Sequence, residues 1–269
     1  MQTKECVEHI CQWLSDYLNN SKTKGFVVGV SGGIDSAVTS TLAAKTGQAV
    51  LCLEMPIHQE SNQVNRAKEH IQWLKNNFKN VDSICVNLDN TYDRFVQTVG
   101  DENNSDSHLM ALVNSRARLR MTTLYYYAQL NNYLVVGTGN KVEDFGIGFY
   151  TKYGDGGVDI SPIADLLKTE VFEIGNELGV ANSILTAAPT DGLWGDDRTD
   201  EDQIGASYPE LEWAMSYDGN GDDLNERQQE VLNIYKRLHR ANKHKMIPIP
   251  ICKIPNQLKR QNRSLKIYK

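Results

Sequence analysis

The sequence predicts an α/β fold, doubly wound, with a mostly parallel sheet and helices on both faces. Three observations carry that reading. Short apolar runs alternate with helically spaced segments along the first half of the chain. The runs are continuous, as strands buried on both faces are, instead of alternating apolar with polar. A turn with two glycines, Ser31 to Ser36, joins the first run to a helix, the position where such sheets bind ligands.

The elements follow in order. Val7, Ile10, Cys11, Leu14, Tyr17 and Leu18 recur at helical spacing until the Asn19-Asn20-Ser21 cluster ends the segment. Phe26 to Val30 is the first strand; Ala37, Val38, Leu42 and Ala43 mark the next helix, and Gly47 is its stop signal. Ala49 to Leu53 is the second strand, a helix follows with Val64, Ala67, Ile71, Leu74 and Phe78, and Ile84 to Leu88 reads as the third strand. These make two successive βαβ crossovers. A polar stretch between Asp101 and Ser107 is expected as an exposed tip, before a long helix from about Leu109 to Leu130 and a fourth strand, Tyr133 to Gly137. Glycines then crowd the chain as far as Gly157 with little periodicity, and a loop of that length inside a compact fold is usually functional. Helical spacing returns at Leu167, Val171, Ile174 and Leu178, before Gly179, and again at Val231, Ile234, Tyr235 and Leu238. No repeat or linker divides the chain, so one domain over 1–269 is expected.

Composition narrows the function. The 269 residues carry 28 Lys and Arg against 34 Asp and Glu, a net charge of −6, which disfavours a nucleic acid partner while leaving room for a local basic pocket. The five cysteines are odd in number and include no CxxC pair, which reads as reduced core thiols in a cytoplasmic protein. No apolar stretch reaches the ~18 residues needed to span a membrane, and the first twenty residues lack a signal peptide's apolar centre.

Ligand sites are expected beyond the strands' carboxyl ends, which selects Ser31 to Ser36, the Glu54 to Gln59 segment and the long glycine loop. In the first, two glycines let backbone N–H groups point outward at a positive helix end, a nest suited to phosphate oxygens, and Ser31 and Ser36 add hydroxyls. Asp35 belongs beside a phosphate only if a metal ion separates the charges. The loop lacks the GK[ST] of a P-loop. Its plain alternative is a turn with a Ser or Asp helix cap.

The motif V-S-G-G-I-D-S resembles the pyrophosphate loop of the ATP pyrophosphatases, and G-T-G-N-K-V-E-D-F, F-Y-T-K-Y-G-D-G-G-V-D-I-S-P, A-P-T-D-G-L-W and K-H-K are similar to ammonia-dependent NAD⁺ synthetases. The resemblance runs from about residue 5 to about residue 255. It implies a Rossmann-like ATP pyrophosphatase fold and a ligase that amidates deamido-NAD⁺ with free ammonia, forming NAD⁺, AMP and pyrophosphate through an adenylated intermediate. It places ATP on Gly29, Val30, Ser31, Gly32, Gly33, Ile34, Asp35 and Ser36, with Thr138, Lys168 and Thr190, and Mg²⁺ on Asp35 and Glu143. Asp35, Lys168 and Glu143 are the implied catalytic set. Deamido-NAD⁺ falls to Arg118, Lys152, Asp159, His244 and Lys245, in a homodimer whose subunits complete each other's dinucleotide sites.

Residue chemistry bears on several of these. Lys168 opens a helix beside Glu170, where the helix dipole disfavours a cation, so an anionic ligand is expected nearby. Arg116, Arg118 and Arg120 cannot share one helical face, and Arg116 and Arg120 read as surface charges. Phe149, Tyr150 and Tyr153 offer rings for the pyridine or are core residues, and Met55 lines an adenine pocket or simply packs. Asn140 to Gly148 stands where many members of the resembled family have a shorter loop, which leaves the match between Glu143 and Lys152 open to a shift of one residue. The acidic run Trp194 to Gln203 reads as a solvated segment or a cover for the site, and His58 has no evident partner. The stretch before Phe26 leaves no room for an amidase domain, hence the expectation of free ammonia.

Overall fold

The computed structural model describes residues 1–100, 105–190 and 199–259. Four strands, β1 (Gly25–Gly29), β2 (Ala49–Glu54), β3 (Val81–Cys85) and β4 (Leu134–Val136), pair in parallel in the order β3-β2-β1-β4. Around them lie α1 (Thr3–Ser21), α2 (Ile34–Lys45), α3 (Ser61–Asn77), α4 (Asp89–Val99), α5 (Asp106–Asn131) and α6 (Lys168–Leu178). Four more helices follow: α7 (Asn182–Leu185), α8 (Asp200–Ile204), α9 (Tyr208–Ser216) and α10 (Glu226–Met246). None of the described helices is long and apolar enough to cross a membrane.

The two-residue period of a strand assigns side chains to the sheet's faces. Phe26, Val28, Val50, Cys52, Leu134 and Val136 pack with α1, α2, α3 and α6, while Val27, Leu51, Leu53 and Val135 pack with Tyr92 of α4 and Ala128 of α5. Both faces are therefore covered, as the continuous apolar runs require. A third apolar cluster joins Val142 and Ile147 of a π-helix (Val142–Ile147) to Tyr208 and Leu211 of α9 and to Val231 and Leu232 of α10.

Several expectations change. The third strand is Val81–Cys85, not Ile84–Leu88. Its register is set by β2, from Val50 opposite Val81 to Glu54 opposite Cys85. It is an edge strand with Asp82, Ile84 and Cys85 exposed, so apolar character is a poor guide to its limits. Cys52 alone is a fully buried thiol; Cys85 and Cys252 are exposed, and all five cysteines are free. The glycine-rich stretch after β4 contains the π-helix. Arg116 and Arg120 are half-buried, Arg116 lying over the Tyr92 ring at 4.8 Å and Arg120 donating to the Met55 carbonyl at 2.9 Å and to Gln59 at 2.7 Å. Arg118, between them, is the exposed one. His58 has partners after all, its Nε2 lying 2.7 Å from Asp93. Residues 101–104 of the expected polar tip and 194–198 of the acidic run lie outside the described residues. From Thr199 the acidic run starts a capped helix in which Asp200 is buried while Asp202 stays exposed.

The strand order locates the site. The chain steps from β1 to β2 to β3 on one side, then returns to add β4 on the other side of β1. The carboxyl ends of β1 and β4 thus diverge at the topological switch point, where open α/β sheets hold ligands.

Candidate active site

The bend after β1 is built by sterics. Gly32 has φ +86°, and a Cβ there would lie 2.5 Å from the Gln63 carbonyl oxygen of α3. Only glycine fits both conditions. Arg66 Nε donates to the Gly32 carbonyl at 3.2 Å, fastening the bend to α3. Within it, Ser36 Oγ accepts from the Ser31 N–H at 3.2 Å and donates to the Gly33 carbonyl at 3.0 Å, while Ser31 Oγ accepts from the Gly33 N–H at 3.3 Å. The serines therefore brace the turn. Ile34, Asp35 and Ser36 open α2, where the N–H groups have no intrahelical acceptor.

From the β4 side, Asn140 is fully buried. Its Oδ1 accepts from the N–H groups of Val142 and Glu143, each at 3.1 Å, and its Nδ2 donates to Asp35 Oδ1 at 3.3 Å. It caps the π-helix and ties it to the first loop. A π-helix holds more residues per turn than an α-helix, a local widening common at functional sites.

Lys168 joins the two loops. Its ammonium, buried with the side chain 3% exposed, donates to Asp35 Oδ2 at 2.6 Å and to Glu143 Oε1 at 2.9 Å. Burial alone would lower its pKa, but Asp35 and Glu143 outweigh burial and hold it above the usual lysine range. Burial and the neighbouring Glu143 push Asp35 up against the pull of Lys168. Glu143 is held low, because Lys168 and the Tyr208 hydroxyl overcome its burial. The anions expected around this misplaced cation are thus the chain's own. The helix end is compensated too: Glu170 accepts from the Leu167 N–H at 2.8 Å, and Glu212 of α9 accepts from the Thr169 N–H and hydroxyl at 2.9 and 2.8 Å.

Two carboxylates and one ammonium leave this locus with an excess negative charge, and burial, then Glu143, Asp155 and Asp35, push neighbouring Asp144 up to about 8. No group of three or more His, Cys, Asp or Glu is placed to cage a metal among the described residues. Two carboxylates converging from separate loops, with further oxygens left to a phosphate ligand, are instead the donor set that suits a hard divalent cation.

Sequence reasoning passes over Asn140, Tyr208 and Asp200. The Tyr208 hydroxyl donates to Glu143 Oε1 at 2.6 Å and lies 3.3 Å from Asp200 Oδ2, and the Lys168 ammonium sits 4.7 Å from the ring centre. The signal available was a Tyr and an Asp each opening a helix directly after a Ser or Thr cap.

A second, cationic cluster forms where α5, the 148–153 segment and the end of α10 meet. Arg118 donates to the Lys152 carbonyl at 3.4 Å, Lys152 Nζ to the His244 carbonyl at 2.7 Å, and Lys245 Nζ to the carbonyls of Gly148 and Tyr150, both at 2.8 Å. Four of the expected dinucleotide residues are therefore brought together. The fifth, Asp159, accepts from the Val135 N–H at 2.8 Å and from the Tyr125 hydroxyl at 3.0 Å, a structural tie to β4. Phe149 packs in the α9/α10 cluster and Met55 in the sheet core; Tyr150 lies near the Lys245 ammonium, and Tyr153 is exposed. Thr138 is half-buried just past β4, and half-buried Thr190 borders residues 191–198, which lie outside the description.

The NAD synthase family profile matches residues 6–248. The NH₃-dependent NAD⁺ synthetase of Carboxydothermus hydrogenoformans is 38% identical over 244 residues, covering 90% of this chain and 94% of that one. Its counterpart in Mesoplasma florum is 36% identical over 246 residues, covering 91% and 95%. Among solved structures, an NMN synthetase from Francisella tularensis superposes with a TM-score of 0.81 at 35% identity, covering 95% and 99% of the two chains. An NH₃-dependent NAD synthetase from Campylobacter jejuni does so with a TM-score of 0.75 at 26% identity, covering 94% and 100%. With a switch-point site of this kind and a family match across most of its length, the chain belongs to the NAD synthases.

Proposed function

We propose that the chain amidates deamido-NAD⁺ with ammonia at the expense of ATP and Mg²⁺, and that the reaction centres on Asp35, Glu143 and Lys168. One observation carries the assignment of residues: a buried ammonium bonded to two carboxylates from the two loops of the switch point. The N–H groups of Gly32, Ile34, Asp35 and Ser36 receive the ATP phosphates, with Gly29, Val30, Ser31, Gly33, Thr138 and Thr190 lining the nucleotide. Asp35 and Glu143 would hold a Mg²⁺ ion, which would supply positive charge to offset that of the phosphates. Lys168 stabilises charge that builds on the departing pyrophosphate. Arg118, Lys152, His244 and Lys245, together with Asp159 from its separate place against β4, hold the dinucleotide so that its nicotinate carboxylate lies in line with the α-phosphorus.

The carboxylate oxygen bonds to that phosphorus as the bond to the β-phosphate oxygen breaks. Ammonia then attacks the activated carbonyl, and AMP departs as the amide forms. No side chain needs to become a covalent nucleophile, so rate derives from positioning and from fixed positive charge. We also propose a homodimer, in which the partner subunit completes each dinucleotide site.

A second reading of the acid substrate rests on the similarity to an NMN synthetase. The acid counterpart of NMN carries the same nicotinate carboxylate on a single nucleotide. Pyrophosphate release with ATP, Mg²⁺ and ammonia, compared between deamido-NAD⁺ and nicotinate mononucleotide, separates the two. Deamido-NAD⁺ is expected to give the higher kcat/KM; preference for the mononucleotide reverses the substrate assignment, and release with XMP or tRNA instead removes the chain from this chemistry.

A further inference from the structure

We propose that Tyr208 is a positioning residue for this reaction: its hydroxyl fixes the Glu143 carboxylate that shares Lys168 with Asp35. The inference rests on the reading of Asp35, Glu143 and Lys168 as the metal and phosphate locus. Tyr208 is 3% exposed at the first position of α9, remote in sequence from both loops. A buried phenol needs a partner for its hydroxyl, and it has one proton to give. The 2.6 Å contact assigns that proton to Glu143 Oε1, which also accepts from Lys168 at 2.9 Å. Two donors occupy the two lone pairs of Oε1 and orient the carboxylate, so a further cation meets Glu143 at its other oxygen.

The helix presenting the hydroxyl is itself pinned. The Tyr208 N–H donates to Glu201 at 2.8 Å, Glu210 caps Ser207, and Arg227 clamps Glu210 at 2.7 and 2.9 Å. The same helix carries Glu212, which caps α6 next to Lys168. One short helix therefore aims a hydroxyl at Glu143 and braces the turn from which Lys168 projects.

Tyr208→Phe removes the hydroxyl and keeps the ring under the Lys168 ammonium, so the fold is expected to persist. The test measures Mn²⁺ affinity by electron paramagnetic resonance in the presence of a non-hydrolysable ATP analogue, together with kcat and KM. The expected result is Mn²⁺ affinity lowered about 10- to 100-fold, with kcat reduced and the KM for the dinucleotide unchanged, the scale seen when a partner of a metal ligand is lost. Arg227→Met loosens the start of α9 without touching Glu143; it is expected to lower the Tm while Mn²⁺ affinity stays within about twofold of the unmodified protein. An affinity equal to the unmodified protein in Tyr208→Phe, or an equal loss in Arg227→Met, overturns the proposal. Glu143→Gln separates the levels: if it weakens Mn²⁺ binding while Tyr208→Phe does not, only the role of Tyr208 fails, and if neither does, the metal reading fails with it.

Discussion

Lys168 decides more than any other side chain, because it is the sole cation bonded to both Asp35 and Glu143 among the described residues. Lys168→Met should leave two carboxylates facing each other, 19% and 16% exposed, and cost about 3 kcal/mol of stability at neutral pH in urea unfolding. Pyrophosphate release should fall at least ~100-fold, as when one charge-stabilising donor is removed from an active site. Unaltered turnover would take the ammonium out of the chemistry. Asp35→Asn should abolish release while the circular dichroism spectrum stays native, and retained release would remove Asp35 from the metal locus. Asp35 stood out from its place in the bend after the first strand, whereas Glu143, which reads by itself as a solvated loop acid, and Lys168 were singled out by the family resemblance. Tyr208 and Asp200 were not, since a Tyr after a Ser and an acid in an acidic run look like surface until the third apolar cluster brings α8 and α9 against the π-helix. Asn140 was equally silent: an amide in a glycine-rich loop acquires its meaning only from the three hydrogen bonds that fold that loop.

At the level of elements, α3 holds the bend after β1 through Arg66 and packs on α2 through His70, and the second contact titrates. His70 is fully buried, its Nε2 lying 3.0 Å from Ser40 Oγ. Ser40 donates its own proton to the Ser36 carbonyl at 2.7 Å, so His70 must donate from Nε2, leaving Nδ1 as a buried acceptor without a partner. Burial lowers its pKa to about 4, against about 6.5 in an unfolded chain. Between these values the unfolded chain binds the extra proton, so this contribution is complete above pH 6.5 and is lost as pH falls towards 4. Stability in urea should drop by about 2 kcal/mol between pH 7 and pH 5 on this account. His70→Gln should flatten that slope; an unchanged slope would assign it elsewhere. Gly32→Ala, in the bend that abuts α3, faces both a left-handed φ and a collision with the Gln63 carbonyl, and should cost at least ~2 kcal/mol and weaken ATP binding. Wild-type stability and ATP affinity in that variant would mean the bend relaxes freely. The central strands and α1, α2, α3, α5, α6 and α10 were readable, because each buries a continuous run or a stripe at helical spacing. The edge strand β3 was displaced, because its register follows β2. Helix α4 was overlooked although Tyr92, Phe95, Val96 and Val99 have helical spacing; its single buried residue, Tyr92, shows how little of it meets the core.

Over the whole molecule, the net charge of −6 conceals a strong polarity: from Val231 to the end there are eleven Lys and Arg and no Asp or Glu. The basic end of α10 carries His244 and Lys245 against Lys152 and Arg118, so a chain of net negative charge still gathers a local cluster of cations there. A global count cannot show this, because it averages over the fold. For the assembly, sedimentation at micromolar concentration should give a homodimer, and a single monomeric species would contradict dinucleotide sites shared between subunits. The doubly wound architecture was legible as a whole, while the packing of α8, α9 and α10 on the π-helix was not, since it depends on contacts between segments far apart in the chain. The central claim is that this switch-point site activates a carboxylate by cutting ATP between its α and β phosphates. The most direct measurement is the nucleotide product formed alongside each amide, by ³¹P NMR of a reaction with deamido-NAD⁺, ammonia, ATP and Mg²⁺. One AMP and one pyrophosphate per NAD⁺ are predicted, and ADP with inorganic phosphate would contradict the account.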